Sequence, residues 1–150
     1  MTFGAHWDAR FMLMTDFVST WSKDPDKKVG AVLVSPDRRQ MSYGYNGLPK
    51  DFVHEQEYLA DKRTKNLYSV HAELNAILNA KKDLTGWTMY ISEAPCLECA
   101  KIIAQLNLAR VVSHAIKPKS SWARSQRKGF ILLDSLVNVT YLENDNGHIR

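Results

Sequence analysis

Trp87-Thr88-Met89-Tyr90-Ile91-Ser92 is a short apolar run, and Pro95-Cys96-Leu97-Glu98-Cys99 follows it closely and opens the next segment. The run is typical of a buried strand. From Leu97 to Leu108 the apolar residues recur at helical spacing, and residues 110–116 form a second apolar, β-branched run. A strand, a helix and a strand in this order indicate an α/β fold, in which helices pack on a layered sheet.

The flanking sequence extends this alternation. Apolar residues at spacings of four and three predict a helix over 7–21, and further helices are predicted over 70–81 and 122–136. Strands are predicted over 29–34, 40–45 and 137–142, with the first two paired antiparallel. Residues 46–66 are polar, and we interpret them as a long loop that is functional or mobile. We expect a single domain over 1–150, with helices on both faces of the sheet.

The composition excludes several classes of protein. The 150 residues are 45% hydrophobic and 24% charged, which is ordinary for a globular domain and unlike a disordered chain. No apolar run approaches the ~18 residues of a membrane span, and Met1 to Asp8 lack the pattern of a secretory signal. Two cysteines exclude a disulfide scaffold and indicate a reducing, cytoplasmic location. The net charge of +4 suits an anionic substrate, and a solvated surface also explains it.

His71 and the Cys96-x-x-Cys99 pair are candidate metal ligands. A Cys-x-x-Cys pair at the start of a helix turns both sulfur atoms toward one point, and the positive helix N-terminus favours thiolates. Zinc prefers thiolate and imidazole ligands, and His71 lies 25 residues before Cys96. Three protein ligands leave a fourth position for water, as in catalytic zinc sites. The sequence predicts one Zn²⁺ per chain, because it has no further cysteine.

Glu73 is the candidate general acid and base. It follows His71 by two positions at the start of the same predicted helix, where a carboxylate can lie beside a metal-bound water. Zinc lowers the pKa of such a water to ~7, and a neighbouring carboxylate can take its proton and deliver it elsewhere. A thioredoxin-type redox pair would explain the cysteines alone. A zinc-stabilised interaction module would keep the three ligands without needing Glu73.

The chain resembles the deoxycytidylate (dCMP) deaminases of the zinc-dependent cytidine deaminase superfamily over most of residues 20–116. His-x-Glu followed by Pro-Cys-x-x-Cys is the signature of zinc deaminases. The other matching motifs are Ser22-Lys23-Asp24-Pro25, Lys28-Val29-Gly30-Ala31, Gly44-Tyr45-Asn46-Gly47-Leu48-Pro49 and His71-Ala72-Glu73-Leu74-Asn75-Ala76-Ile77. The last two of these motifs are the ones that select the dCMP branch.

This resemblance implies a three-layer α-β-α fold with a five-stranded mixed sheet. It implies hydrolytic deamination of dCMP to dUMP and ammonia, which supplies thymidylate synthesis. Members of the family are typically homohexamers, activated by dCTP and inhibited by dTTP, with Mg²⁺ accompanying the triphosphate. The stretch Gly44-Tyr45-Asn46-Gly47 matches the motif of the effector site. In the wider superfamily the asparagine at the position of Asn46 lies near the substrate sugar.

Further binding residues are assigned by chemistry and position. A 5′-phosphate needs cationic or N–H partners, and the candidates are Lys23, Lys117 and Lys28. Val29 and Ala72 lie inside the matching motifs and complete the predicted substrate set with Asn46. Lys28 and Lys50 are candidate partners of an effector triphosphate, beside Gly44, Tyr45, Asn46 and Gly47. A solvated charge is the alternative for each lysine, and a simple hairpin exit is the alternative for residues 44–47.

Two other zinc deaminases remain as alternatives, a free cytidine deaminase and a tRNA adenosine deaminase. A tRNA editor needs a broad basic surface, but the basic residues here alternate with acids, except over 117–128. We therefore expect no nucleic-acid partner, and no membrane partner either. Several family members carry a tyrosine near the substrate. This chain reads Ile116-Lys117-Pro118-Lys119-Ser120-Ser121-Trp122 there, so the sequence identifies no residue that stacks on the base.

Overall fold

A five-stranded sheet forms the centre of the protein, whose computed structural model describes residues 4–142. The strands are β1 Gly30–Val34, β2 Met41–Tyr45, β3 Thr88–Ile91, β4 Arg110–His114 and β5 Asn138–Leu142, in the spatial order β2-β1-β3-β4-β5. β1 pairs antiparallel with β2 and with β3, while β3, β4 and β5 run parallel. The predicted mixed sheet is therefore confirmed. Residues 1–3 and 143–150 of the expected domain lie outside the described part.

Helices cover both faces of this sheet. They are α1 Ala5–Ser19, α2 Glu55–Leu59, α3 Lys62–Tyr68, α4 Ala72–Ala80, α5 Leu97–Ala104 and α6 Ala123–Asp134. α1 packs on one face, and α4, α5 and α6 contribute to the core on the other face. This arrangement is the predicted three-layer α-β-α fold. None of the helices within residues 4–142 has the length and apolar character that crossing a bilayer requires.

The three central strands, β1, β3 and β4, are buried on both sides, which explains why they read as continuous apolar runs, whereas exposed and buried residues alternate along the edge strand β2. In β1, Ala31 and Leu33 join the core beneath α4 and α5, whereas Val32 and Val34 pack toward α1. All four side chains are inaccessible to solvent. Successive side chains of a strand point to opposite faces, so this one run of residues supplies two separate hydrophobic cores.

Residues 46–66 are not the structureless loop that their polarity predicts. α2 lies within this stretch and α3 begins in it. Asp61 starts α3 by accepting hydrogen bonds from the Arg63 backbone N–H at 3.2 Å and from the Thr64 hydroxyl at 2.7 Å. Phe52 packs edge-on against Tyr58, with ring centroids 4.9 Å apart. The prediction was wrong because short helices held by a side-chain cap and by contacts at long range carry no apolar periodicity.

Lys65 is the buried charge that fixes this segment against the rest of the chain. Its ammonium lies 2.7 Å from Asp24 Oδ1 and 2.6 Å from Asp26 Oδ2, and its side chain is 2% exposed. Burial disfavours the charged form of Lys65, but hydrogen bonds to both carboxylates outweigh burial and raise the pKa of Lys65. Burial also opposes ionisation of Asp24, but the hydrogen bond from Lys65 outweighs it and lowers the pKa of Asp24.

Lys65→Met should lower the free energy of unfolding by about 3–5 kcal/mol, because it leaves the Asp24 carboxylate buried without its partner. Urea denaturation measures this loss. The matched control is Lys62→Met, which replaces an exposed lysine of α3 and should change stability by less than about 0.5 kcal/mol. A loss below about 1 kcal/mol for Lys65→Met would show that the ion pair does not fix α3.

The ion pair between Lys65 and Asp24 makes the stability of the wild-type protein depend on pH. The direction of that dependence follows from the two pKa shifts. Folding lowers the pKa of Asp24, so its contribution is present above the ordinary value of 3.8 and is lost as the pH falls through the lower folded value. Folding raises the pKa of Lys65, so its contribution is present below 10.5 and is lost as the pH rises through the higher folded value. Lys65→Met should flatten the acid limb of a stability–pH curve.

Candidate metal and substrate site

The ligand atoms of His71, Cys96 and Cys99 meet at one point. His71 directly precedes α4, Cys96 directly precedes α5, and Cys99 lies in the first turn of α5. His71 Nδ1 lies 3.3 Å from Cys99 Sγ and 3.6 Å from Cys96 Sγ, and all three atoms lie within 4.8 Å of one another. Two helix starts therefore bring together three side chains that the sequence separates.

These separations fit a zinc ion. Tetrahedral zinc, with Zn–N near 2.1 Å and Zn–S near 2.3 Å, places nitrogen and sulfur ligands about 3.6 Å apart. One imidazole and two thiols are donors that zinc prefers, and they leave one tetrahedral position open. In the part of the chain that the structure describes, this is the one group of three or more metal-ligating side chains that is close enough to hold an ion.

The surroundings of the Cys96 thiol favour negative charge, whereas the hydrogen bond to Cys96 and burial raise the pKa of the Cys99 thiol. The N-termini of α4 and α5 lie at the cluster, and their partial positive charges stabilise anions. The hydrogen bond from the Cys99 thiol lowers the pKa of Cys96, and His71 acts in the same direction. The hydrogen bond to Cys96 in turn raises the pKa of His71. Cys96 is therefore the thiol of this cluster that ionises first.

Glu73 lies beside the cluster in the first turn of α4. Its side chain is buried, and Glu73 also hydrogen-bonds Cys99. Burial raises the pKa of the Glu73 carboxyl, while the nearby His71 opposes that increase. A carboxyl whose burial favours the protonated form is suited to hold a proton between two steps of a reaction.

A deep pocket opens at the cluster, and the three predicted substrate residues Val29, Asn46 and Ala72 line it together with His71 and Glu73. The Asn46 side chain is buried and holds two pieces of backbone together. Its Oδ1 accepts a hydrogen bond from the Val29 N–H at 2.9 Å, and its Nδ2 donates to the carbonyl of residue 27 at 2.8 Å. One Nδ2 hydrogen of Asn46 remains for a ligand.

Helix α6, which the sequence predicts over 122–136, forms a wall of the pocket, and its pocket residues were not among the predicted site residues. The Trp122 ring stands edge-on to the His71 ring, with centroids 5.7 Å apart. One turn later, Gln126 Nε2 donates to the Ala94 carbonyl at 2.8 Å, and Ser125 Oγ accepts a hydrogen bond from the N–H of residue 97 at 2.9 Å. The available signal was an aromatic residue followed by polar residues at helical spacing at the start of a predicted helix.

A second cavity of about 360 Å³ adjoins the deep pocket. Lys117, a predicted phosphate ligand, lines this cavity, and so does Lys62, which is not among the predicted site residues. Among the described residues, neither lysine has an ionic partner. Lys27 and Glu93 line both cavities and form an ion pair at 2.7 Å.

Two other predicted phosphate ligands lie elsewhere. The Lys23 side chain is 71% exposed and pairs with Glu55 at 3.1 Å. Lys28 is exposed and donates a hydrogen bond to the Ser22 carbonyl. Neither lysine lines the deep pocket or the second cavity, so the structure brings only Lys117 of the three candidates to this cleft.

The predicted effector residues surround the end of β2. Gly44 faces α4, where a Cβ atom would collide with the α4 backbone, so close helix packing explains this glycine. Gly47 pairs with Val70 through two backbone hydrogen bonds, of 3.1 and 2.7 Å. Tyr45 and Lys50 are exposed. Asn46 lies in the deep pocket, so residues of this one motif lie on two different surfaces.

The fold matches that of a solved deaminase. The dCMP deaminase of cyanophage S-TIM5, in complex with dCMP and dUMP, is similar with a TM-score of 0.76 over 94% of this chain and 100% of that chain. The two sequences are 23% identical. This similarity establishes the cytidine deaminase-like fold that the sequence motifs predict.

Sequence comparison then identifies the family. The model of the cytidine and deoxycytidylate deaminase zinc-binding region matches residues 5–115. The uncharacterized deaminase in the luxG 3′ region of Aliivibrio fischeri is 40% identical over 105 residues, 70% of each chain. Human deoxycytidylate deaminase is 38% identical over 141 residues, which cover 90% of this chain and 78% of the human one. The chain belongs to the cytidine and deoxycytidylate deaminase family, and the predictions of family, fold and deaminase class are confirmed.

Metal analysis of the purified protein should find one zinc per chain. Cys96→Ser should lose the zinc and be destabilised, because the free energy of binding at such a site also contributes to folding. Wild-type protein treated with a chelator is the control, and its melting temperature should fall to a similar value. Two zinc ions per chain, or full zinc content in Cys96→Ser, would contradict this ligand set.

Proposed function

We propose that this protein catalyses the hydrolytic deamination of dCMP to dUMP and ammonia, and so supplies dUMP for thymidylate synthesis. One observation carries the proposal: the buried Glu73 carboxyl lies beside the His71, Cys96 and Cys99 cluster, in a pocket that continues into a lysine-lined cavity. The name of the human relative, deoxycytidylate deaminase, supports dCMP as substrate. We place the activity in the cytoplasm, because two ligand thiols need a reducing compartment.

The metal-binding residues and Glu73 have different roles in this reaction. When bound at His71, Cys96 and Cys99, zinc supplies a Lewis acid and makes a potent nucleophile available from water at neutral pH. Glu73 takes a proton from the attacking water and delivers it to ring nitrogen N3, while the water oxygen forms a bond to C4. The same carboxyl then takes up the remaining water proton and protonates the 4-amino group. The C4–N bond breaks, ammonia leaves and the C4 carbonyl forms.

Glu73→Gln should retain zinc and bind dCMP but turn it over at least about 10²–10⁴-fold more slowly, because the amide cannot take up the proton. Steady-state kinetics measures turnover, while metal analysis and equilibrium binding of dCMP test whether the site is intact. Glu57→Gln is the matched control, because it makes the same chemical change at an exposed carboxylate outside the pocket. If Glu73→Gln kept a third of the wild-type activity, the acid–base assignment would be wrong.

The second cavity supports a nucleotide rather than a free nucleoside as substrate. A dianionic phosphate needs cationic partners, and Lys117 and Lys62 offer two ammonium groups without carboxylate partners among the described residues. A free cytidine deaminase has no use for such groups. A tRNA adenosine deaminase would need many phosphate contacts over a broad surface. We therefore assign the 5′-phosphate of dCMP to this cavity, with Lys117 as its principal partner.

Lys117→Ala should raise KM for dCMP by about tenfold or more while leaving KM for deoxycytidine unchanged, since only dCMP carries the phosphate. The matched controls are Lys119→Ala, two residues away and outside both cavities, and Lys23→Ala, whose lysine pairs with Glu55. Both should behave as wild type. Equal effects of Lys117→Ala on the two substrates would remove Lys117 from the phosphate site.

The proposal extends to regulation and assembly. We infer a homohexamer of single-domain subunits that dCTP activates and dTTP inhibits, with Mg²⁺ bound to the triphosphate. Two exposed surfaces support this: Tyr45 and Lys50 at the end of β2, and an apolar patch on α1, the residues after it and edge strand β2. The patch consists of Phe17, Trp21, Met41, Tyr43 and Tyr45. Exposed apolar patches mark interfaces, and Tyr45 belongs to both surfaces, so effector binding and association are expected to be coupled.

Saturation kinetics tests the regulation. The rate should depend sigmoidally on dCMP, become hyperbolic with dCTP and Mg²⁺, and become more sigmoidal with dTTP, because the two effectors must favour different states of the enzyme. Tyr45→Ala should weaken both responses and shift the mass measured by sedimentation. A hyperbolic response that neither nucleotide changes would refute the regulation and leave the catalytic proposal standing.

A further inference from the structure

Six residues line both the deep pocket and the second cavity, and they form a neck between the two. They are Lys27, Asn66, Glu93, Ala94, Trp122 and Gln126. In the proposed reaction the base lies at the metal cluster and the phosphate lies at the lysines of the second cavity. The sugar links base and phosphate, so it occupies the neck. This placement rests on the proposed function.

The sugar brings one hydrogen-bond donor into the neck. The donors of dCMP at neutral pH are the 4-amino group and the 3′-hydroxyl. The 4-amino group is the leaving group and lies at Glu73. A donor that loses water without gaining an acceptor weakens binding, so the neck needs an acceptor for the 3′-hydroxyl.

Glu93 provides an acceptor that a ligand can reach. Its side chain is 24% exposed, and its Oε2 lies 2.7 Å from Lys27 Nζ. Within residues 4–142 its other oxygen, Oε1, has no hydrogen-bond partner. Gln126 Oε1 also lacks a partner, but that atom is enclosed by protein, and the Ala94 carbonyl fixes the orientation of its amide.

Two of the other acceptors that line the deep pocket already have protein donors. Asp24 Oδ1 accepts hydrogen bonds from Lys65 and from two backbone N–H groups. Asn46 Oδ1 accepts from the Val29 N–H. Glu73 is reserved for the proton transfers. Asn66 also lines the neck, but its amide oxygen is a neutral acceptor, and Glu93 is the one carboxylate among the six residues of the neck.

Lys27 reduces the repulsion between the Glu93 carboxylate and the phosphate of a bound substrate. The Lys27 backbone is anchored on both sides, because its N–H donates to Asp24 at 3.0 Å and its carbonyl accepts from Asn46 at 2.8 Å. Its ammonium neutralises Glu93 and lies 5.8 Å from the centre of the Trp122 ring. The ion pair orients the Glu93 carboxylate, and a hydrogen bond to a charged acceptor is about twice as strong as a neutral one.

We infer that Glu93 accepts a hydrogen bond from the 3′-hydroxyl of the substrate sugar through Oε1, and that this contact makes the protein select nucleotides carrying that hydroxyl. Glu93 touches the sugar and takes no part in the proton transfers. Its role is specificity, and it acts on kcat/KM through substrate binding.

The test compares dCMP with 2′,3′-dideoxycytidine 5′-monophosphate, which lacks only the 3′-hydroxyl. The wild-type protein should prefer dCMP in kcat/KM by about 10–100-fold. Glu93→Ala should reduce that preference to below about threefold, by lowering kcat/KM for dCMP while leaving the value for the dideoxy nucleotide near wild type. The matched control, Glu57→Ala, removes an exposed carboxylate of α2 and should keep the full preference.

The other possible results of this comparison either overturn the Glu93 inference alone or refute the proposed function as well. Equal use of both nucleotides by the wild type would overturn the Glu93 inference while confirming dCMP as substrate. A full preference in Glu93→Ala would also overturn it, and a preference lost instead in Gln126→Met would assign the hydroxyl to Gln126. Absence of dCMP turnover by zinc-loaded wild type would refute the proposed function, and the inference with it. Thermal unfolding of each variant separates these results from a loss of folded protein.

Discussion

Helices α4 and α5 begin at the same point, and the chemistry of the site depends on this. Two helix N-termini bring partial positive charges together, which is unfavourable unless anionic groups lie between them. The Cys96 and Cys99 thiols and the Glu73 carboxyl lie there. The two helix N-termini therefore oppose the effect of burial, which raises the pKa of Glu73. A single cation held by the two thiols and His71 would complete the balance of charge.

The parts of this arrangement that are local in sequence could be predicted. The central strands are apolar because they are buried on both faces, and the meeting of Cys96 and Cys99 could be predicted because a helix start fixes their spacing. Contacts between distant segments could not be predicted. The polarity of residues 46–66 concealed α2 and the start of α3, since Lys65 is buried only because Asp24, 41 residues earlier, accepts its hydrogen bond. The location of Lys117 at the cleft could be predicted from its position after a strand. The pairing of Lys27 with Glu93 could not, because only the fold brings these two residues together.

Asp24 connects the stability of the fold to the shape of the site. It lines the deep pocket, holds the Lys65 ammonium of α3, and accepts the Lys27 N–H. Lys27 in turn carries the side chain that pairs with Glu93. A buried ion pair adds little to the net free energy of unfolding, because the cost of desolvating both charges offsets much of their attraction. Its effect here is geometric, because it ties α3 to the loop before β1 at the edge of the pocket.

Helix α6 completes the site from the opposite side. Its first turns hold the loop between β3 and α5, through Ser125 at the N–H of residue 97 and Gln126 at the Ala94 carbonyl. The same turns place Trp122 against His71 and beneath the Lys27 ammonium. The loop that carries Cys96 also carries Glu93, so α6 positions the metal cluster and the neck together. Because one helix sets both, a change in how α6 packs would alter zinc geometry and sugar selection at once, whereas a change confined to Glu93 would alter selection alone.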